Sequence, residues 1–507
     1  MSGIRSSAQL KLKTHAYDTF MGLDGSRHIT AMDTGREQHF ATIENAYCDW
    51  RGQVVRGPAA RPVHGSLQVV HARHFDTDRV VYGERRGDGI RLTSTEGHED
   101  AFRYPQDAVL SSTIFNRNVH VAAKGARMRY YDGALFHQNS SPSMSLLRPS
   151  MITTVQRRLC VAGITGFETE VHISRVDSPA VFPGDEDPAE ESVLRAGIID
   201  VANLIGTADQ ITGLGQLEQD GLVVFTSDRA VVYRLDPDID AWTIDAQANL
   251  RVGCVSHNTI CPAGTDLLFC SRQGVHSIRR SSQNGILLGT VSLSFKIDTL
   301  YRHCFENMSD PAAMSAVYDQ DANQYHVFFP QPGNRTARRL TLTLSPVPGE
   351  EDSARYSGGT FLDARCGDAL AGRLVYGTNG GLYEIVRDRN RDGLPATAVA
   401  PEAYIVTPFL WHGSLVEAKR THSFTLQASG SGIVEMWATD LEGRVLGSMA
   451  FEIAPDADDT DSFAVPLSRQ YERMWQVRYL AAQYHFRITQ SDGLVRISGF
   501  AVTTRQD

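Results

Sequence analysis

The sequence predicts an all-β protein: a β-propeller-like main domain followed by a C-terminal β-sandwich domain. Short segments that alternate apolar and polar residues recur along most of the chain, which is the period of half-buried strands. Glycine- and aspartate-containing turns separate them, and long stretches of helical periodicity are missing. A third observation selects the propeller. A unit of strand, turn and aromatic-bearing strand returns every few tens of residues without any tandem sequence repeat. A four-stranded blade is too small to bury both its faces and must pack against neighbours, which explains such a rhythm. Stacked sandwiches are the rival architecture.

Residues 1–27 are polar and weakly patterned, and read as an N-terminal arm or an extended strand. From His28 the alternation begins, with turns at Thr34-Gly35 and Arg51-Gly52. Residues 67–75, 79–85, 90–95, 113–123 and 128–138 repeat it, and Asp132-Gly133 between aromatic-flanked segments is a hairpin signal. Residues 156–164 and 169–176 follow as strands, and the acidic, proline-bearing stretch 181–195 reads as a solvent loop. Residues 193–206 suit one short helix or a strand, and 208–219 a turn or single helical turn. The strand grammar resumes in 211–235, 266–281, 316–330 and 374–388. Around residue 400 the composition shifts through a linker-like stretch. A further series of alternating segments then runs from 404 to 504 around an acidic hairpin tip at 454–462. The expected division is therefore an arm (1–27), a propeller-like body (28–400) and a sandwich (401–507).

Composition narrows the function classes. The chain has 507 residues with 49 basic against 59 acidic side chains, a formal charge of −10. An extended nucleic-acid grip is usually basic, because its affinity comes from neutralising phosphates. This balance argues against such a face and suits a wall that DNA slides past. The 7 cysteines are an odd number without metal or CxxC spacing, so reduced, buried thiols are expected. The first residues lack the apolar core of a secretory signal, and no apolar run approaches the ~18 residues of a spanning helix.

Motifs that carry chemistry are scarce. There is no nucleophile elbow, phosphate loop, zinc-protease helix motif or dinucleotide fingerprint. His71 and His74 stand three positions apart in a strand and would face opposite ways rather than share a metal. Asp236/Asp238 and Asp458/Asp459 read as solvated turns rather than as the acid/base pair of a glycosidase. Asp388, Asn390, Asp392 and Gly393 match the start of a calcium loop. Val399 replaces its closing glutamate, however, and Arg389 and Arg391 oppose a cation, so the run reads as an Asx-rich turn. Asp319, Asp321 and Asn323 match it less well. Tyr82, Tyr130, Tyr131, Phe136, Phe225, Tyr233, Phe269, Tyr318, Tyr325, Phe328, Phe329, Tyr376 and Tyr383 recur around hairpins. Without a basic patch they are expected to pack between sheets rather than to stack bases. No residue is singled out as catalytic, cofactor-binding or metal-ligating, and no cofactor is expected.

Segments 41–58, 127–138, 156–183, 211–235, 250–280 and 314–329, in this order and spacing, resemble the tail hub or nozzle proteins of short-tailed, double-stranded DNA bacteriophages. The likeness is to the packaged-DNA stabilisation proteins of Salmonella-phage-like podoviruses. Ser174, Asp177-Ser178-Pro179 and Phe182 match a run of that family with one residue inserted between aspartate and proline. The resemblance covers roughly residues 30–390 and implies a virion tail protein assembled in the host cytoplasm. Its propeller-like bodies would form a ring, commonly a hexamer, below the portal and head-to-tail adaptor. That ring would extend and close the DNA channel and support tail spike, fibre or needle proteins, with double-stranded DNA passing transiently and without sequence specificity. The family has no catalytic residues to carry over, so the expectation is a structural protein and not an enzyme. The alternative is an extracellular carbohydrate-binding or carbohydrate-active propeller.

Overall fold

The computed structural model describes residues 12–506 except 27–36, 66, 186–191, 206–208, 246–249, 279–291, 309, 333–334, 346–353, 387–397, 454–468, 472–476 and 491–494. Strand accounts for 53% and helix for 9%, so the protein is all-β. The chain forms two compact units: residues 61–340 with 360–385, and residues 1–60 with 341–359 and 386–507.

The first unit is a β-propeller. Blade 1 comprises Val69–His74, Val80–Arg86 and Gly89–Ser94, and blade 2 comprises Leu110–Phe115, Asn118–Ala123, Arg129–Tyr131 and Phe136–Gln138. Blade 3 follows with Met151–Val155, Arg158–Ala162, Glu170–Ile173 and Gly197–Asp200, then blade 4 with Ile211–Leu217, Gly221–Thr226, Ala230–Arg234 and Thr243–Ile244. Cys261–Ala263, Asp266–Ser271 and Gly274–Ser277 build blade 5, while Ser315–Asp319, Gln324–Phe329 and Arg338–Thr343 build blade 6. Blade 7 contains Cys366–Leu370, Arg373–Thr378 and Gly381–Val386, and takes Ala59–Gly65, from far upstream, as its fourth strand. Blades 1 and 7 meet through Val69, Ala72, Val80 and Tyr82 against Cys366, Val375 and Leu382, which closes the ring.

Burial on both faces explains the continuous apolar runs. In Gly221–Thr226, Leu222 and Val224 pack toward blade 3, whereas Val223 and Phe225 pack toward blade 5. Period-2 geometry sends neighbours to opposite faces, and both faces are interior, so no polar partner is needed. The expected role of the hairpin aromatics holds here. Phe225 meets Phe269 at 4.8 Å between blades 4 and 5, and Phe328 meets Tyr376 at 5.2 Å between blades 6 and 7. All 7 cysteines are free and buried. Burial pushes the Cys160 and Cys366 thiols up to about 12.

The second unit is a sandwich. One sheet has the order Arg469–Tyr471, Lys419–Ser429, Arg496–Gln506, Val54–Arg56, Ala46–Cys48, and Leu12–Tyr17 also pairs with Arg496–Gln506. The facing strands run Arg355–Gly359, Thr42–Glu44, Ala403–Val406, Gln483–Gln490, Gly432–Thr439, Val445–Ile453. Phe424, Leu426, Phe500 and Val502 from the first sheet share one core with Val434, Met436, Tyr484, Phe486 and Ile405 from the second.

This division differs from the expected cuts at 27/28 and 400/401. Of the two readings of residues 1–27, arm or extended strand, the strand holds for Leu12–Tyr17, a full ladder strand, with Tyr17 and Phe20 in the sandwich core. Residues 37–58 likewise lie with the sandwich rather than the propeller. The reason is that a strand's hydrogen-bonding partner can lie anywhere in the chain, so sequence neighbourhood did not reveal it.

Three local expectations also change. Residues 211–217, which carry both a strand reading within 211–235 and a turn reading within 208–219, form the innermost strand of blade 4. Gly213 and Gly215 hide the strand pattern because added Cβ atoms would stand 2.5 Å from Ile260 Cδ1 and 2.7 Å from Leu267 Cδ2. The stretch 181–195 is not simply a solvent loop. Phe182 is fully buried, and the Asp185 carboxylate accepts the Ser141 hydroxyl at 2.6 Å and the Ser143 hydroxyl at 2.7 Å. Within residues 193–206 both readings are realised, as the outer strand Gly197–Asp200 and the helical turn Ala202–Ile205. A helix that the strand grammar did not suggest, Asp298–Glu306, buries Tyr301 and Cys304 one turn apart. No helix among the described residues is long and apolar enough to cross a membrane.

Candidate functional site

The first strand of every blade faces the propeller axis, and together these strands line a cavity of about 930 Å³. The residues at its wall follow from strand position. His71 and Arg73 come from blade 1, Ser112 from blade 2, Thr154 from blade 3, Gln216 from blade 4, Asn258 from the turn before blade 5, Asp319 from blade 6, and Arg365 and Asp368 from blade 7. Arg85, from the second strand of blade 1, and Asp107, from the loop before blade 2, join them at one end.

At the waist the polar groups are neutral and tied to the backbone. The Leu214 N–H donates to His257 Nδ1 (3.2 Å), so Nε2 carries the proton and donates to the Ile152 carbonyl (3.1 Å). Burial, with the backbone bond opposing it, lowers the His257 pKa to about 4. His71 Nε2 meets the Ser112 hydroxyl at 2.7 Å, and burial together with the Arg73 charge lowers His71 to about 4 as well. Asn258 Nδ2 donates to the Leu110 carbonyl (2.8 Å), and the Thr113 and Thr154 hydroxyls bridge blades 2 and 3 at 3.0 Å.

The two ends of the cavity carry charge. At one, Asp368 accepts from Arg73 Nη1 (3.2 Å) and from both the His74 backbone N–H (2.7 Å) and His74 Nδ1 (2.8 Å). Burial alone would raise the Asp368 pKa, but the Arg73 charge and the His74 contacts outweigh it and hold the carboxyl below its ordinary value. At the other end stand Arg85 and Arg365. Gln68, Asn379 and Asp363 form a hydrogen-bonded arc between them across blades 1 and 7.

Of the residues weighed in the sequence, His71 and His74 diverge as expected, one toward Ser112 and the other toward Asp368. Asp236 and Asp238 are turn residues, with Asp236 accepting the Asp238 N–H and Asp238 that of Asp240. Asp319 is buried at the end of its strand, whereas Asn323 closes the following turn on the Tyr318 hydroxyl. Among the described residues no group of His, Cys, Asp and Glu is arranged to hold a metal ion. The 388–393 run and Asp458/Asp459 lie outside the described residues. Ser174, Asp177, Pro179 and Phe182 are joints between strands. The Ser174 hydroxyl accepts the Leu159 N–H (2.9 Å), Asp177 pairs with Arg157, and the Pro179 carbonyl accepts Asn139 Nδ2 (2.7 Å). Sequence reasoning missed Arg85 and Arg365, which stand in no motif and converge only through ring closure, and Asp368, which meets Arg73 and His74.

No protein-family model and no curated protein matches the chain. Among solved structures the chain is similar to BamB from Moraxella catarrhalis, at 10% identity and TM-score 0.35 over 62% of this chain and 82% of that one. It is also similar to virginiamycin B lyase from Staphylococcus aureus, at 9% identity and TM-score 0.39 over 64% and 96%. A third likeness is to YCF48 bound to D1 peptide, at 9% identity and TM-score 0.38 over 67% and 98%. These are β-propellers, and the likeness is one of fold class alone.

Proposed function

We propose that this chain is a structural virion protein, a tail hub or nozzle subunit of a short-tailed phage. It works by assembly and channel closure rather than by bond chemistry. The observation that carries this reading is the ordered likeness of segments spanning roughly residues 30–390 to that family. The architecture supports it. A closed propeller buries its strand edges and leaves rigid loops for contact, and the sandwich ties the first strand among the described residues to the last. Leu135, Leu146, Phe167 and Ile198 stand exposed on blades 2 and 3 or the segment joining them, and supply apolar surface for a neighbour.

In this reading the subunits close into a ring, a hexamer by family likeness, below the portal and adaptor. Repeated contacts that do not close would build filaments instead. The ring bears or adjoins spike, fibre or needle proteins. Its acidic composition lets DNA pass without the retention that a basic wall would impose. Weak ring contacts become favourable once an adaptor holds neighbours at high effective concentration, so the free chain is expected to be monomeric. The carbohydrate reading gains little from the axial cavity, where Tyr318 is the one tyrosine, phenylalanine or tryptophan ring among the described lining residues.

Cryo-electron microscopy of the portal–adaptor–tail complex tests the reading, with native mass spectrometry of the free chain as control. A ring of this chain around the channel is the expected result. Finding the chain off the axis, or as isolated single copies in the virion, overturns it.

A further inference from the structure

Two guanidinium groups stand at the end of the axial cavity where the inner strands of blades 1 and 7 begin. Arg365 is only 7% exposed. Its contacts are single and long: Nη1 to the Gln331 carbonyl at 3.4 Å, and Nη2 to the Arg335 carbonyl at 3.3 Å and to the Asp363 carboxylate at 3.4 Å. A charge-assisted N–H···O bond normally closes to about 2.7–2.9 Å, so the fork is poorly engaged. Arg365 Nε has no hydrogen-bond partner among the described residues. Arg85 gives one bond to a neutral amide, Nη1 to Gln68 Oε1 at 2.9 Å, and its Nε is likewise without a partner. The Arg365 charge also reaches Arg85. Burial and then the Arg365 charge lower the Arg85 pKa, and Asp107 offsets this only in part.

Buried donors without acceptors are destabilising, and like charges held together add to the cost. Two under-engaged planar forks facing one chamber have the geometry that recognises a planar or tetrahedral oxyanion. The opposite end offers no such opening, because Arg73 there is already matched by Asp368. A volume of about 930 Å³ falls within the ordinary range of small-molecule sites. We propose that the axial cavity binds a small ligand bearing a carboxylate or phosphate group, held between Arg85 and Arg365. The neutral waist of His71, Ser112 and Asn258 takes the ligand's polar remainder. This inference concerns the single propeller and is independent of ring assembly.

Calorimetric titration of the full chain with sodium phosphate, and separately with sodium succinate, each against matched sodium chloride, tests it. At least one anion binds near one equivalent. Arg85→Gln weakens that binding about tenfold or more, the equivalent of about 1.4 kcal/mol. Arg365→Lys keeps the charge but removes the planar fork, and weakens it as well. Binding of phosphate alone assigns a phosphate ligand, and binding of succinate alone a carboxylate. If neither anion binds more tightly than about 10 mM, or if both variants bind like the parent chain, the proposal is overturned.

Discussion

Gln68, at the start of blade 1, donates from Nε2 to the Oδ1 of Asn379 in blade 7, 2.7 Å away and 311 positions along the chain. Its Oε1 accepts from Arg85 Nη1 at 2.9 Å, so one amide joins the ring's two ends and holds a cavity arginine. Gln68→Ala removes both bonds. The expected cost is about 1 kcal/mol, modest because the Asn379 contact faces solvent. Urea unfolding of the variant beside the parent checks this, and an unchanged midpoint would show that the arc contributes nothing to closure.

Arg158 gives the propeller a larger lesion. It is 1% exposed, and its guanidinium donates to the carbonyls of Ser174 (3.1 Å), Val193 (2.7 Å) and Pro237 (3.3 Å), and to that of Arg195. Arg158→Met fits the volume but leaves these carbonyls unmet where blade 3 joins the loop after blade 4's third strand. A loss of about 3 kcal/mol is expected, together with a clear drop in melting temperature. Near-parental stability in a calorimetric scan would contradict the assignment.

Acid should destabilise the fold through histidines rather than through carboxylates first. Burial lowers His71, His120, His257 and His276 to about 4, against an ordinary value of 6.5. Between these values the unfolded chain binds protons that the folded chain refuses, so stability falls as pH drops from 6.5 toward 4. Urea midpoints measured at pH 7, 6, 5 and 4.5 should decline steadily. A flat profile down to pH 5 would mean that these rings are solvated.

Lys419 plays a comparable part in the sandwich. Fully buried, its ammonium donates to the carbonyls of Ser414 (2.6 Å), Glu417 (3.0 Å) and Leu480 (3.1 Å), pinning the 414–417 loop that exposes Leu415 and Val416. Lys419→Met removes the pin while keeping the stem. The variant should lose about 2 kcal/mol and be cut faster within 414–417 under limited proteolysis. An unchanged cleavage pattern would assign the loop's order to other contacts.

What the sequence determined by itself was the kind of local structure. Strand alternation, the apolar run at 222–225, the turn at Asp132-Gly133 and the interblade aromatics were all legible, because period and turn chemistry are written in adjacent residues. Where the local signal was overridden, as in the glycine-bearing strand 211–217, the cause lay in the neighbouring Ile260 and Leu267 side chains. Only the tertiary structure decided which strands pair. Ala59–Gly65 completes blade 7, Leu12–Tyr17 pairs with Arg496–Gln506, and residues 37–58 lie with the sandwich. Ladder hydrogen bonds run between backbones and carry almost no side-chain signature, so partners far apart in sequence become visible only once burial has set the register. The convergence of Arg85, Arg365 and Gln68 has the same origin, since ring closure brings together residues that no spacing rule connects.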